Sequence, residues 1–147
     1  MSSLRDLYQE VILDHSKSPR NFSEIVDTDR KADGHNPLCG DKVTIYLNLH
    51  NGVVKDVSFT GVGCAISTAS ASLMTEAVKG KTAAETEQLF KGFHELVTGK
   101  ASEKSNFGEL VVFRGISEFP VRVKCATLAW HTLRAALDEE GQAVSTE

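Results

Sequence analysis

Residues 42–60, KVTIYLNLHNGVVKDVSFT, contain two short segments that flank an Asn-Gly pair, and this stretch decides the fold. Every second residue of 43–49 is apolar, which is the pattern of a half-buried strand. The Asn-Gly pair at 51–52 is the strongest short signal for a hairpin turn, and 53–60 then supplies the return strand. The stretch therefore predicts an antiparallel β-hairpin.

Helices are predicted on both sides of this hairpin. Capping boxes, helical apolar spacing and terminal glycines indicate four of them, over about residues 3–18, 64–79, 82–99 and 125–137. The polar stretch 16–36 is expected to wrap the surface. The segment 101–120 is apolar enough for either a short helix or an ordered loop. The chain of 147 residues is expected to form a single domain, 1–147, with a flexible polar tail from about residue 138.

Composition narrows the class of protein. The net charge is −4 and no basic stripe is visible, so nucleic-acid binding has no electrostatic support. No apolar run approaches the length of a membrane-spanning helix, and the N-terminus lacks the pattern of a signal peptide. We therefore expect a cytoplasmic protein, in which thiols stay reduced. Three cysteines cannot all pair within the chain, which favours metal or thiol chemistry over a disulfide scaffold.

Cys39, Asp41, Cys64 and Cys125 are the candidate metal ligands. The two ends of a hairpin are adjacent in space, so Cys39 and Asp41 before it should meet Cys64 after it. Thiolates bind zinc and iron strongly, and a carboxylate can complete a tetrahedron. Each cysteine lies at a junction between elements, and Cys64 and Cys125 are both expected to open a helix, where the dipole favours a thiolate. Buried packing for the cysteines, and a turn or cap role for Asp41, are the alternative interpretations.

The histidines and the nearby cations carry weaker signals. The five histidines show no paired ligand spacing. Only His35, four positions before Cys39, is a weak candidate for a metal ligand. His131 should face away from the cysteine side of its helix. Arg122 and Lys124 are either a solvent-exposed pair on a short strand that leads to Cys125, or cations whose charge stabilises the thiolate form of the cysteines.

Several motifs together resemble a known family. They are NPLCGD at 36–41, GVGCAIS at 61–67, KCATLAW at 124–130, LYQEVI at 7–12 and PRNF at 19–22. These motifs are similar to those of the iron–sulfur cluster assembly proteins of the NifU N-terminal/IscU superfamily. The resemblance covers almost the whole chain and implies a SufE/NifU-like α+β fold, with a small antiparallel sheet of about three strands and helices packed on one side.

Two departures from the scaffold members of the superfamily resemble its SufU-type branch. Lys124 stands where scaffold members carry a histidine, and extra residues lie at about 99–116. The resemblance to this branch implies a Zn²⁺ ion held by Cys39, Asp41, Cys64 and Cys125.

The resemblance also implies a chemical role. Cys39 would accept persulfide sulfur from a SufS-type cysteine desulfurase, after a histidine of that partner replaces Cys39 on the zinc, and the sulfur would pass to downstream iron–sulfur assembly machinery. The alternatives are a scaffold on which a [2Fe–2S] cluster is built by the same four ligands, and a purely structural zinc module that needs no reactive thiol.

Overall fold

The computed structural model describes residues 4–100, 108–138 and 144–145. In chain order the elements are α1 (Leu4–Lys17), β1 (Arg30–Asn36), β2 (Asp41–His50), β3 (Val53–Val62), α2 (Ala65–Val78), α3 (Ala83–Val97), a 3₁₀ helix (Gly108–Glu118), α4 (Pro120–Leu137) and β4 (Val144–Ser145). None of the helices in this part of the chain is long and apolar enough to cross a membrane.

The sheet is built on the predicted hairpin. Among the described residues its strand order is β3-β2-β1-β4; the first three strands are antiparallel, and two-residue β4 lies parallel to β1. Asn51 and Gly52 have φ angles of 53° and 76°, as a two-residue type I′ turn requires of both central positions. The turn pairs His50 with Val53, and an irregularity between Asn48 and Leu49 then shifts the register by one residue and places Ile45 opposite Phe59, both buried. The predicted hairpin and small antiparallel sheet are confirmed.

The helices cover one face of the sheet and enclose the core with it. Helix α4 crosses β1 and β2, and α2 packs against β3 and α4. Helix α4 lies very close to β1 at Gly34, where an added Cβ atom would lie 2.0 Å from the Thr132 hydroxyl oxygen. The fully buried core includes residues from both layers: Ile45, Leu47, Val57, Met74, Leu128 and Trp130. The α+β fold with helices on one side is therefore confirmed.

Strand β1 was not predicted. The sequence RKADGHN has no apolar alternation and was expected to be part of a polar surface segment, yet it pairs along its whole length with β2. Its inward-facing positions are Ala32, Gly34 and Asn36, all buried under α4. Small residues suffice there because the helix approaches closely, so hydrophobic periodicity could not indicate the strand.

Helix α4 begins five residues earlier than predicted, at Pro120. Proline is favoured at the first helical position because its missing N–H has no partner there in any helix. Arg122 and Lys124 therefore lie on a helix, and the predicted approach strand is wrong. Cys125 lies in the second turn of α4, so the prediction that it opens a helix is also wrong, whereas Cys64 does cap α2.

The remaining sequence predictions concern helix boundaries and the C-terminal tail. The capping box at Thr82 and Glu85 is confirmed. The segment Gly108–Glu118 is a 3₁₀ helix that buries Leu110, Val112, Phe113 and Ile116, in line with the short-helix alternative. Residues 101–107 and most of the predicted tail lie outside the described residues, although Val144–Ser145 pairs with β1.

Candidate metal centre

The loop between β1 and β2 presents Cys39 at its tip. Asn36, the last residue of β1, is paired with Asp41, the first residue of β2. The Cys39 N–H donates to the Asn36 main-chain oxygen at 3.3 Å, which closes a tight turn between these two strands. Gly40 follows with φ of +72°, a conformation that glycine adopts without strain. As a result Cys39 is exposed, while Asp41, two residues later, has no exposed surface.

The Asp41 carboxylate lies against the start of α2. Its Oδ1 atom accepts a hydrogen bond from the Cys64 main-chain N–H at 2.9 Å. Cys64 is the N-cap of α2, and its sulfur accepts from the Ser67 N–H at 3.4 Å. A Cβ atom added at Gly63 would lie 2.8 Å from Asp41 Oδ1, so a residue without a side chain allows the carboxylate this close to the main chain.

Cys125 reaches the same place from α4. Its side chain is buried and its Sγ atom lies 3.2 Å from Cys39 Sγ, although the two residues are 86 positions apart in sequence. Burial raises the pKa of the Cys125 thiol, and contacts with Cys39 and with the Asp41 carboxylate raise it further. A divalent cation at this point would reverse the effect, because its charge stabilises thiolates.

The structure brings three of the four predicted ligands into one group. The ligand atoms of Cys39, Asp41 and Cys125 all lie within 4.8 Å of one another. The Cys64 sulfur is outside this group and is turned to its own helix, although its main chain contacts Asp41. All four ligand assignments therefore stay predictions, with three of the donors grouped by the structure.

The three grouped donors suit a soft divalent cation. Two thiols and a carboxylate are donors that zinc and iron accept. The fully buried Asp41 carboxylate receives hydrogen bonds from uncharged N–H groups, of Cys64 and of Asn36. A bound cation would supply a full counter-charge to this buried carboxylate.

The histidines lie away from this group. His35 is adjacent to Asn36 on β1, so its side chain points to the opposite face of the sheet. This candidate ligand is therefore not part of the group formed by Cys39, Asp41 and Cys125. His131 packs its ring edge-on against Phe90 of α3, with 5.2 Å between centroids, which confirms that it faces away from the cysteines. His15 is buried, with its Nδ1 atom 2.7 Å from the Ser72 hydroxyl oxygen.

Sequence reasoning missed Asn36. Its side chain has no exposed surface, and its Nδ2 atom lies 3.5 Å from both Asp41 Oδ2 and Cys125 Sγ. The available signal was its position as the last residue before the Pro37 turn, where Asn commonly organises the main chain. Without β1 in the prediction, nothing indicated that Asn36 faces the same side as Asp41.

Comparison with known proteins identifies the family. The model of the NifU-like N-terminal domain matches residues 7–140, and the chain belongs to this family. The resemblance read from the motifs is therefore confirmed, and the chain is a member of the SufU and IscU group of iron–sulfur cluster assembly proteins.

Individual relatives carry two kinds of name. The zinc-dependent sulfurtransferase SufU of Bacillus subtilis (strain 168) is 40% identical over 140 residues, which cover 95% of each chain. The iron–sulfur cluster assembly scaffold protein IscU of Streptococcus pyogenes serotype M1 is 38% identical, over 97% of this chain and 90% of its own. A crystal structure from Fervidobacterium islandicum AW-1, of a proposed scaffold protein for the SUF system, superposes with a TM-score of 0.84 at 36% identity, covering 92% of this chain and 99% of its own.

Proposed function

We propose that the protein is a zinc-dependent sulfurtransferase that accepts persulfide sulfur from a SufS-type cysteine desulfurase and delivers it for iron–sulfur cluster biogenesis. The observation that carries this proposal is the pairing of an exposed thiol with buried donors. Cys39 stands at a turn tip in reach of solvent, while Asp41 and Cys125 are fixed in the interior beside it. The 40% identity to a SufU supports the same assignment.

Four side chains would hold the zinc ion. Cys39, Asp41 and Cys125 are already grouped, and the Cys64 main chain lies next to Asp41, so only its side chain has to turn. Zinc would supply charge that keeps the thiolates ionised without redox chemistry of its own. Asp41 and Cys125 would anchor the site from a strand and a helix, and the turn would let Cys39 move.

The reaction is a thiol–persulfide exchange. The Cys39 thiolate attacks the outer sulfur of the donor's cysteine persulfide, a new bond forms between Cys39 Sγ and that sulfur, and the bond to the donor's cysteine sulfur breaks. The donor cysteine leaves as a thiolate and Cys39 becomes the persulfide. No external oxidant or reductant is required, because the transferred sulfur keeps its oxidation state.

Exposed apolar side chains on the segments that carry the candidate ligands favour a protein as the sulfur donor. Leu38 precedes Cys39 and is 59% exposed, and Val62, just before the Gly63 turn, is 69% exposed. Phe119 and Val121, at the start of α4, are 45% and 52% exposed. Exposed apolar surface of this kind is a common site of protein contact. A desulfurase that covers them would place its persulfide near Cys39.

A scaffold function is the second candidate, since relatives named as IscU scaffold proteins match this chain at 38% identity. Cysteine thiolates also hold iron–sulfur clusters, so the ligand set does not separate the two functions. Lys124 supports the sulfurtransferase, because this residue is one of the two departures on which the resemblance to the SufU-type branch rests. Its position, on α4 directly before Cys125, is beside the centre.

Metal analysis of the purified protein separates these candidates. We expect a colourless protein with one zinc per chain and no acid-labile sulfide. A brown protein containing iron and sulfide would instead support the scaffold.

Substitution of Cys39 tests the acceptor role directly. Cys39→Ala should abolish stimulation of a SufS-type desulfurase, measured as alanine formation, and no persulfide should be found on the variant by mass spectrometry. Full stimulation by Cys39→Ala would overturn the acceptor assignment.

A further inference from the structure

Asn36 is a buried polar residue whose side-chain amide hydrogen-bonds to residues of the candidate metal centre and of the loop that carries Cys39. It is the last residue of β1 and has no exposed surface. A buried amide left without partners costs about 1–3 kcal/mol, so its contacts define its role. Those contacts fall into two sets: one orders the loop that carries Cys39, and the other reaches two of the candidate ligands.

The first set of contacts builds the turn. The Asn36 side-chain oxygen accepts from the Leu38 N–H at 3.3 Å, and its main-chain oxygen accepts from the Cys39 N–H, also at 3.3 Å. An Asn side chain that accepts from the N–H two residues on replaces a main-chain turn contact and narrows the conformations of the loop. Asn36 therefore restricts where the Cys39 thiol can lie.

The second set reaches the buried donors. The Asn36 Nδ2 atom is 3.5 Å from Asp41 Oδ2, at the long limit for a hydrogen bond to oxygen, and 3.5 Å from Cys125 Sγ, within the range of a hydrogen bond to the larger sulfur atom. The amide has two N–H groups, so it can donate to both acceptors at once. The side-chain oxygen is directed to Leu38, which leaves the N–H side facing the ligands.

We infer that Asn36 is a positioning residue of the metal centre, which orients Asp41 and Cys125 through its amide N–H groups and holds the Cys39 turn through its oxygen. This inference rests on the proposed zinc site. Groups that hydrogen-bond metal ligands fix the ligand geometry and tune ligand basicity, and their loss lowers metal affinity by about 10–100-fold. Asn36 thus joins three ligands that come from a turn, a strand and a helix.

Two substitutions separate the two sets of contacts. Asn36→Ser keeps a hydroxyl that can accept from the Leu38 N–H but is too short to reach the ligands. Asn36→Ala loses every side-chain contact of both sets and keeps the main-chain contact to the Cys39 N–H. Asn48→Ser is the matched control. Asn48 is an asparagine of the same sheet whose side-chain oxygen also accepts from a main-chain N–H, that of Asp29 at 2.6 Å, near the opposite end of β2.

The experiment measures zinc affinity by competition with a chelator, together with the visible spectrum of the cobalt-substituted protein. We expect Asn36→Ser to bind zinc about 10–100-fold more weakly than Asn48→Ser and to shift the thiolate-to-cobalt absorption band. Asn36→Ala should be affected further. A merely structural residue would lower the melting temperature of the zinc-free protein and leave the cobalt band unchanged.

The outcomes separate this inference from the proposed function. Wild-type zinc affinity and an unchanged cobalt spectrum in Asn36→Ser would overturn the positioning role, even if zinc binds and Cys39 accepts sulfur. Failure of the wild-type protein to bind zinc would overturn the proposed function itself, before any variant is compared. Because neither measurement uses the desulfurase, a missing partner cannot imitate either result.

Discussion

The candidate metal centre has a buried half and an exposed half. Asp41 and Cys125 form the buried half, on a strand and a helix, with 0% and 1% of their surfaces exposed. Cys39 and Cys64 form the exposed half, at a turn tip and at the N-cap of α2. The buried donors are fixed by packing on every side, whereas the exposed thiols can change position or react with another molecule.

The difference in burial suggests that the interior donors retain the metal and that the exposed thiols react. A metal held by interior groups alone would be stable but closed to exchange, and one held only by surface thiols would be lost readily. A centre with both kinds of donor can keep its ion while one thiol leaves to react, as the proposed sulfur transfer requires. The comparison predicts that substitutions in the two halves have different consequences for folding.

The largest contrast is expected between Asp41→Ala and Cys64→Ser. Asp41→Ala removes a metal donor and the acceptor for the Cys64 N–H, and a hydrogen bond to a charged group contributes ~2 kcal/mol. Cys64→Ser also removes a thiol, but serine is a good N-cap, so the zinc-free fold should keep its stability. Metal content after dialysis against a chelator and the melting temperature of each zinc-free variant provide the measurements.

Both variants should lose zinc, and only Asp41→Ala should also melt at a lower temperature without zinc. Equal melting temperatures for the two zinc-free variants would show that the buried and exposed halves do not differ in this way.

A smaller effect is expected at Gly63, which borders both halves. Gly63→Ala would place a methyl group 2.8 Å from Asp41 Oδ1, so the carboxylate has to shift. A displaced ligand should lower zinc affinity by about tenfold, less than removal of the carboxylate. Gly115→Ala is the control, because no heavy atom lies within 4 Å of the added Cβ atom there. Chelator competition on both variants tests the difference, and identical affinities would refute the steric role of Gly63.

The smallest effect concerns His131, which is partly buried on α4 away from the metal. Burial lowers the pKa of His131, and the nearby His94 and Arg134 lower it further. Because the folded pKa is below the unfolded value of about 6.5, the stability contributed by neutral His131 is complete above that pH and is lost as the pH falls below it.

Zinc-free wild type should therefore melt at a lower temperature near pH 5.5 than near pH 7.5, and His131→Gln should reduce this difference. His50→Gln, at the exposed hairpin turn, is the control and should leave it unchanged. Zinc-free protein is used because protonation of metal ligands would otherwise add its own pH dependence. An unaltered pH dependence of the melting temperature in His131→Gln would show that His131 does not cause the loss of stability at low pH.

Elements with strong local signals could be predicted from the sequence. Alternating apolar residues and the Asn51-Gly52 pair specified β2, β3 and their turn. The capping box at Thr82 and the N-cap position of Cys64 were equally local, because capping depends on residues three positions apart. The same hairpin argument correctly brought Asp41 to the start of α2, where it contacts the Cys64 N–H.

Elements that form through distant contacts could not be predicted in this way. Strand β1 contains Gly34 and other small or polar residues, and it is a strand because β2 pairs with it and α4 covers it. Asn36 was missed for the same reason, since its role depends on facing Asp41 and Cys125.

The sequence by itself determined the hairpin, the helical segments and the identity of the donor residues, because these depend on side-chain chemistry and on neighbours a few positions apart. Only the tertiary structure decided that Cys125 meets Cys39 across 86 positions, that the Asp41 carboxylate is buried and that Asn36 lies between them. The physical reason is that α4 docks on the sheet as a packed layer. Its register there follows from the close approach at Gly34 and from the core side chains, not from any local pattern around Cys125.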